Sequence, residues 1–130
     1  MKLPPLLRSR SQEAQLLLIV VVPAVYGFLT GVALGGSKGI YIVMNLFAAI
    51  GGYLAGFDHD ELSEVAMRGA AGGTLFGTFI LLAHGVTGAS EEAKLPDPHV
   101  VLVVFTAIGG VLLGTLGTMT RRRVERRQAA

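Results

Sequence analysis

Residues 16–34 read LLLIVVVPAVYGFLTGVAL, 19 residues in which Tyr26 is the sole ionisable side chain. At 1.5 Å per residue such a helix is roughly 28 Å long, the thickness of a bilayer's hydrocarbon core. A soluble helix of that length needs a polar face, and this stretch has none. In lipid a spanning segment must satisfy its own backbone, so the stretch is expected to be a transmembrane helix.

The pattern recurs. Residues 40–57, 69–89 and 100–119 contain no Asp, Glu, Lys or Arg, so the chain holds four such runs of 18 to 21 residues. They are too long and too unalternating to be barrel strands. Over all 130 residues, 52% are apolar and 15% charged, against about 25% charged in soluble domains. The expected fold is all-α: a polytopic membrane protein with helices at about 16–35, 40–57, 64–88 and 98–120. A basic segment, 1–15, precedes them and a basic tail, 121–130, follows. The first run is long and lacks an A-x-A cleavage site, so it reads as a retained helix and not a signal peptide. With no cysteine in the chain, disulfides and thiolate chemistry are excluded.

Charge sets the expected orientation. Lys2, Arg8, Arg10, Arg68 and the five arginines at 121, 122, 123, 126 and 127 fall on one side, nine of the eleven Lys and Arg. Only Lys38 and Lys94 fall on the other. The positive-inside bias then puts both termini in the cytoplasm of a bacterial-type cell membrane. These basic residues are short membrane flanks, so nucleic acid is not an expected partner.

Glycine spacing organises the interior. Gly27, Gly31 and Gly35 in helix 1, and Gly69, Gly73 and Gly77 in helix 3, are each four apart. Residues 49–56 read AIGGYLAG and 107–114 read AIGGVLLG, identical at six of eight positions, with Gly52 matching Gly110 and Gly56 matching Gly114. The order, zipper helix then A-I-G-G helix, predicts two hairpins of common origin related by rotation about the membrane normal. Glycines four apart form a groove that lets another backbone approach, which is how helices associate where no hydrophobic effect drives them together. Gly73→Leu is expected to be severe and Gly73→Ala mild.

The doubled, glycine-rich hairpin resembles the proteolipid rotor subunits of rotary ATPases in packing alone, because no carboxylate stands mid-span in helix 2 or 4. Asn45 together with residues 72–79, GGTLFGTF, resembles the small four-helix fluoride channels. The spacing from the glycines differs by one, and the basic element of that family's first helix is missing. Those channels also assemble antiparallel, which the charge bias here opposes.

Polar groups within the spans are few. Asn45, Thr74, Thr78 and His84 are the candidate pore or polar contacts. The loop Asp58-His59-Asp60-Glu61 reads as a helix cap, with Asp58 or Asp60 at the N-cap and Glu64 paired to Arg68, and not as a metal site. Asp97-Pro98 reads as the N-cap and N1 of helix 4. Pro23 is expected to distort helix 1 by crowding the carbonyl of Ile19. No nucleophile and base fall together, so no enzymatic activity and no cofactor are expected. The leading expectation is an oligomeric channel or permease-like component for a small solute, with helix 3 lining the path. The alternative is a non-transporting scaffold in a larger membrane complex.

Overall fold

In the computed structural model, which describes residues 2–130, the chain is helical apart from its turns and one longer loop, and the described residues form no strand. Four helices are long and apolar enough to cross a membrane: α1 Gln12–Leu34, α2 Lys38–Ala55, α3 Leu62–Thr87 and α4 Val101–Ala129. A 3-10 turn, Gly56–Asp58, prolongs α2. The N-terminal segment from Lys2, the C-terminal part of α4 and the α2–α3 connection lie together at one end, called here the basic end.

The outer surface is apolar where that of a soluble bundle is polar, around an interior that mixes Leu34, Ile80 and Val65 with small residues. Large apolar side chains such as Leu17, Val25, Phe47, Phe105 and Leu112 point outward, while Thr30, Thr118, Ala24 and Ala83 are buried. Glycines fill the contacts between. On α1, a β-carbon at Gly27 or Gly31 would strike the backbone of Phe76 or Ile80 on α3. Gly69 and Gly110 sit against each other's carbonyls, joining α3 to α4, and Gly73 and Gly77 meet Thr106. Gly56 is pressed on Gly114, Gly117 and Thr118, and the Thr118 hydroxyl donates to the Gly56 carbonyl at 2.7 Å. Such approaches give dispersion contacts that bulkier residues would hold apart. Gly73→Ala cannot be mild here, because its methyl group would meet the rigid backbone of Thr106 and Ala107.

Local chemistry moves several helix ends from their expected places. Ser11 caps α1, accepting from the Ala14 N–H at 3.2 Å, so the helix starts before the apolar run. A π turn over Leu17–Val21 precedes Pro23. Such a wide turn is one of the ways a helix takes in a proline, whose ring would crowd the Ile19 carbonyl and which offers no N–H. Ser37 caps α2 through the Ile40 N–H, drawing Lys38 and Gly39 out of the expected turn into the helix.

Neither Asp58 nor Asp60 caps α3. Their carboxylates face arginines, a stronger charge-assisted contact, and Glu61 holds the N-cap position without a side-chain bond. The α3–α4 loop begins at Gly88, whose φ of 63° is the left-handed conformation that favours glycine. α4 opens at Val101, not at Asp97-Pro98, whose peptide bond is cis. The first N–H groups of α4 are satisfied instead by the carbonyls of Pro98, His99 and Val100. At its other end α4 continues to Ala129, so residues 121–129 form helix and not a separate tail. Its 29 residues make it roughly 43 Å long, more than a hydrocarbon core requires.

Candidate functional site: a groove between α1 and α2

The four helices do not close evenly. α3 packs extensively on α4 and on α1, whereas α1 and α2 share only a thin interface. Between those two lies a cavity of about 950 Å³. Its α1 wall is Leu18, Ile19, Val22, Pro23 and Tyr26, its α2 wall includes Phe47, Ala48, Gly51 and Leu54, and its floor is formed by α3 and α4. Phe47 is 62% exposed and Leu54 56%, so the lips of the groove lie on the outer surface of the bundle.

Polar atoms deep in the groove are already engaged. The Tyr26 hydroxyl donates to the Met44 carbonyl at 2.8 Å, bridging α1 to α2. Thr106 donates to the Val103 carbonyl, and the Asn45 amide to the Tyr41 carbonyl. Tyr26 also stacks on Phe76, with ring centroids 6.0 Å apart. A polar solute entering here would lose hydration and find few free partners.

The groove ends in charge. Lys2, Arg10, Arg68 and Asp58 line it at the basic end. Asp58 is held by Arg10 at 3.1 Å and Arg68 at 3.2 Å. Arg68 also donates to the Ala55 carbonyl and contacts His59. Glu64 therefore does not pair with Arg68; it faces His59 at 3.7 Å and Arg8 at 3.9 Å. Arg8 bonds Asp60 at 2.8 Å. Arg121, 8% exposed, donates to Glu125 and to the carbonyls of Pro4 and Phe57. Arg122 donates twice to the Asp60 carbonyl. The N-terminal segment is thereby strapped onto the bundle, with its own Leu7 buried. Burial lowers the pKa of His59, and the adjacent Arg68 cation lowers it further, so the imidazole favours its neutral form.

The candidate polar residues separate. Asn45 lines the groove. Thr74 and Thr78 point outward from α3, away from any internal path. His84 lies at the far end, where it and His99 both face Glu91, at 3.4 and 3.1 Å. Among the described residues no group of His, Asp or Glu is arranged to hold a metal ion. Of the glycines, Gly35 abuts Ala89, Gly52 meets only the Leu113 side chain at 3.6 Å, and Gly114 meets Val65.

Residues for which the sequence suggested no site role include Tyr26, Arg10, Gly117, Thr118 and Arg121. Gly117 continues the small-residue face of Gly110 and Gly114, a signal present in the spacing. Nothing local marks Arg121 as buried while Arg123 and Arg126 are exposed; only the fold brings the Pro4 and Phe57 carbonyls to it. No family model, no curated protein and no solved structure matches this chain.

Proposed function

We propose that the protein is a multi-pass membrane component that takes a small, largely apolar molecule from the bilayer into the α1–α2 groove, a permease-like binding step. Its termini and arginine network face the cytoplasm. The observation that carries this reading is the groove: about 950 Å³, apolar, with its deep hydroxyls already bonded and its lips on the lipid-facing surface. Pockets of that size accept ligands of a few hundred daltons or a lipid chain. Glycine-zipper packing belongs to the same reading, since the close approaches at Gly27, Gly31, Gly69, Gly73 and Gly77 hold the floor rigid while the groove stays open.

The chain has no cysteine, so single-cysteine nitroxides test the reading directly. A label at Ala48, on the groove wall, should collide freely with oxygen, which dissolves in hydrocarbon, and poorly with a water-soluble nickel chelate. The reverse result would mean a hydrated channel. Impermeant thiol labelling of Ser63→Cys, Ser37→Cys and Ser90→Cys in intact cells tests orientation. Reaction at 37 and 90 but not at 63 is expected.

A second reading, self-association through α3, is favoured by Thr74 and Thr78. Both are exposed mid-helix, and neither hydroxyl has a hydrogen-bond partner among the described residues, whereas Thr30, Thr106, Thr118 and Thr120 all donate to carbonyls. Unpaired hydroxyls in hydrocarbon favour contact with another helix. We assign that helix to a second copy. Thr78→Cys should form a disulfide-linked dimer under mild oxidation; a protein that stays monomeric at every lipid ratio would remove this reading.

A further inference from the structure

We propose that the groove holds one acyl chain of an anionic phospholipid, drawn from the leaflet at the basic end, with the phosphate at Lys2 and Arg10. This rests on the groove reading above and adds the class of ligand. Three features argue for it.

The groove is amphiphilic along its length. Its inner part is apolar, and its basic end is lined by three cations, Lys2, Arg10 and Arg68, against one carboxylate, Asp58. A neutral apolar ligand would leave that excess positive charge unanswered. An anionic head group answers it, and each Lys or Arg near an anionic surface strengthens attraction.

The cations are also unevenly used. Arg68 is committed to Asp58 and the Ala55 carbonyl. Arg10 gives one terminal nitrogen to Asp58 and the Pro5 carbonyl, yet its buried Nε has no hydrogen-bond partner. That Nε is enclosed and out of a ligand's reach, whereas the other terminal nitrogen of Arg10 makes no hydrogen bond among the described residues, and phosphate is the planar fork's preferred complement. Lys2 is exposed beside it. Free donors thus stand at the groove mouth, while those deeper in are engaged.

The depth also fits. Of the mouth residues, Lys2 and Arg10 precede α1, Asp58 follows α2 and Arg68 stands near the start of α3, so all four lie at the helix ends, level with the membrane surface if these helices span it. A phospholipid whose head group sits at that level can place one chain between α1 and α2 through the open lips and leave the other in the bilayer. The walls such a chain would touch are apolar, Val22 and Pro23 on α1 and Phe47 and Leu54 on α2, side chains that contact hydrocarbon without loss.

The test is native mass spectrometry of the full chain released from detergent, with phosphatidylglycerol or phosphatidylcholine of identical chains added. Wild type should retain one phosphatidylglycerol, about tenfold in preference to phosphatidylcholine. Lys2→Gln should cut that preference about fivefold without changing thermal stability, and Arg10→Gln should cut it at least as far. Gly109 lines the groove and nothing lies within 4 Å of its β-carbon, so Gly109→Leu adds bulk there without a clash and should abolish retention of both lipids with the melting temperature intact. Arg126→Gln with Arg127→Gln, exposed on α4, should change nothing. Retention of both lipids equally, with loss of both in Gly109→Leu, would overturn the anionic head-group assignment and leave the groove reading standing. Retention unaffected by Gly109→Leu, or no lipid retained by wild type, would overturn both.

Discussion

The two hairpins share one short segment, AIGGYLAG at 49–56 and AIGGVLLG at 107–114, and pack it differently. In α3–α4 the motif glycine Gly110 is jammed against the carbonyl of Gly69, and the hairpin is shut at its backbone. In α1–α2 a β-carbon at the matching Gly52 would meet no atom of α1 within 4 Å, only the Leu113 side chain of α4, and the hairpin gapes around a cavity. The helices with glycines four apart, α1 and α3, diverge as well. Gly31 packs on α3, whereas its counterpart Gly77 packs on α4 and not back on α1. A strict two-fold would require matched glycines to touch matched helices. Glycine spacing therefore fixes that a face can be approached closely; the opposing side chains decide which helix does so. Facing α2, helix α1 presents Leu18, Val22 and Pro23, too bulky for backbone contact.

The sharpest way to break this contrast is to enlarge a glycine in the shut hairpin. Gly73→Leu should cost roughly 3 kcal/mol or more by overpacking against Thr106 and Ala107. Gly73→Ala should cost about 1–3 kcal/mol despite alanine's better helix propensity. Both are read as melting temperatures in nanodiscs. A stable, fully assembled Gly73→Leu protein would mean α3 and α4 are not in backbone contact.

Smaller effects probe what holds the open hairpin to the shut one. Arg121→Gln should cost about 1–3 kcal/mol, because the Pro4 and Phe57 carbonyls lose a buried donor, and should raise proteolysis within residues 2–10. Tyr26→Phe removes a hydroxyl that bridges α1 to α2 in the groove and should cost about 1 kcal/mol, widening the gap without unfolding the floor. Unchanged nitroxide distances between α1 and α2 in that variant would show the bridge to be dispensable.

The smallest effect is a pH slope at the basic end. The folded pKa of His59 is lowered, so below its ordinary value of about 6.5 the unfolded chain binds a proton that the folded one refuses. Stability is full above that pH and falls as pH drops through the window down to the folded value. Thermal melts at descending pH should show this fall in wild type and a shallower one in His59→Gln.

Much of the architecture is legible in the residues, because hydrocarbon imposes one strict rule on length and polarity. The runs from Leu16, Ile40, Gly69 and Val100 mark the four helices, whose ends moved where a side chain found a better partner, as Asp58 did with Arg10 and Arg68. The site was less legible. Asn45 lies in the groove, but Thr74, Thr78 and His84 do not, because helical spacing tells which residues share a face and not what that face meets. The groove itself is a failure of two helices to close, and no motif encodes a gap.

The most direct measurement compares matched substitutions, Gly52→Leu and Gly110→Leu, at equivalent positions of the two A-I-G-G motifs. Thermal unfolding of both in identical nanodiscs isolates the packing difference from the shared sequence context. The account predicts that Gly52→Leu melts within a few degrees of wild type, its side chain accommodated beside Leu113, while Gly110→Leu fails to fold or melts far below it. Equal losses in both variants, or a larger loss at Gly52, would contradict the claim that one hairpin is open and the other shut.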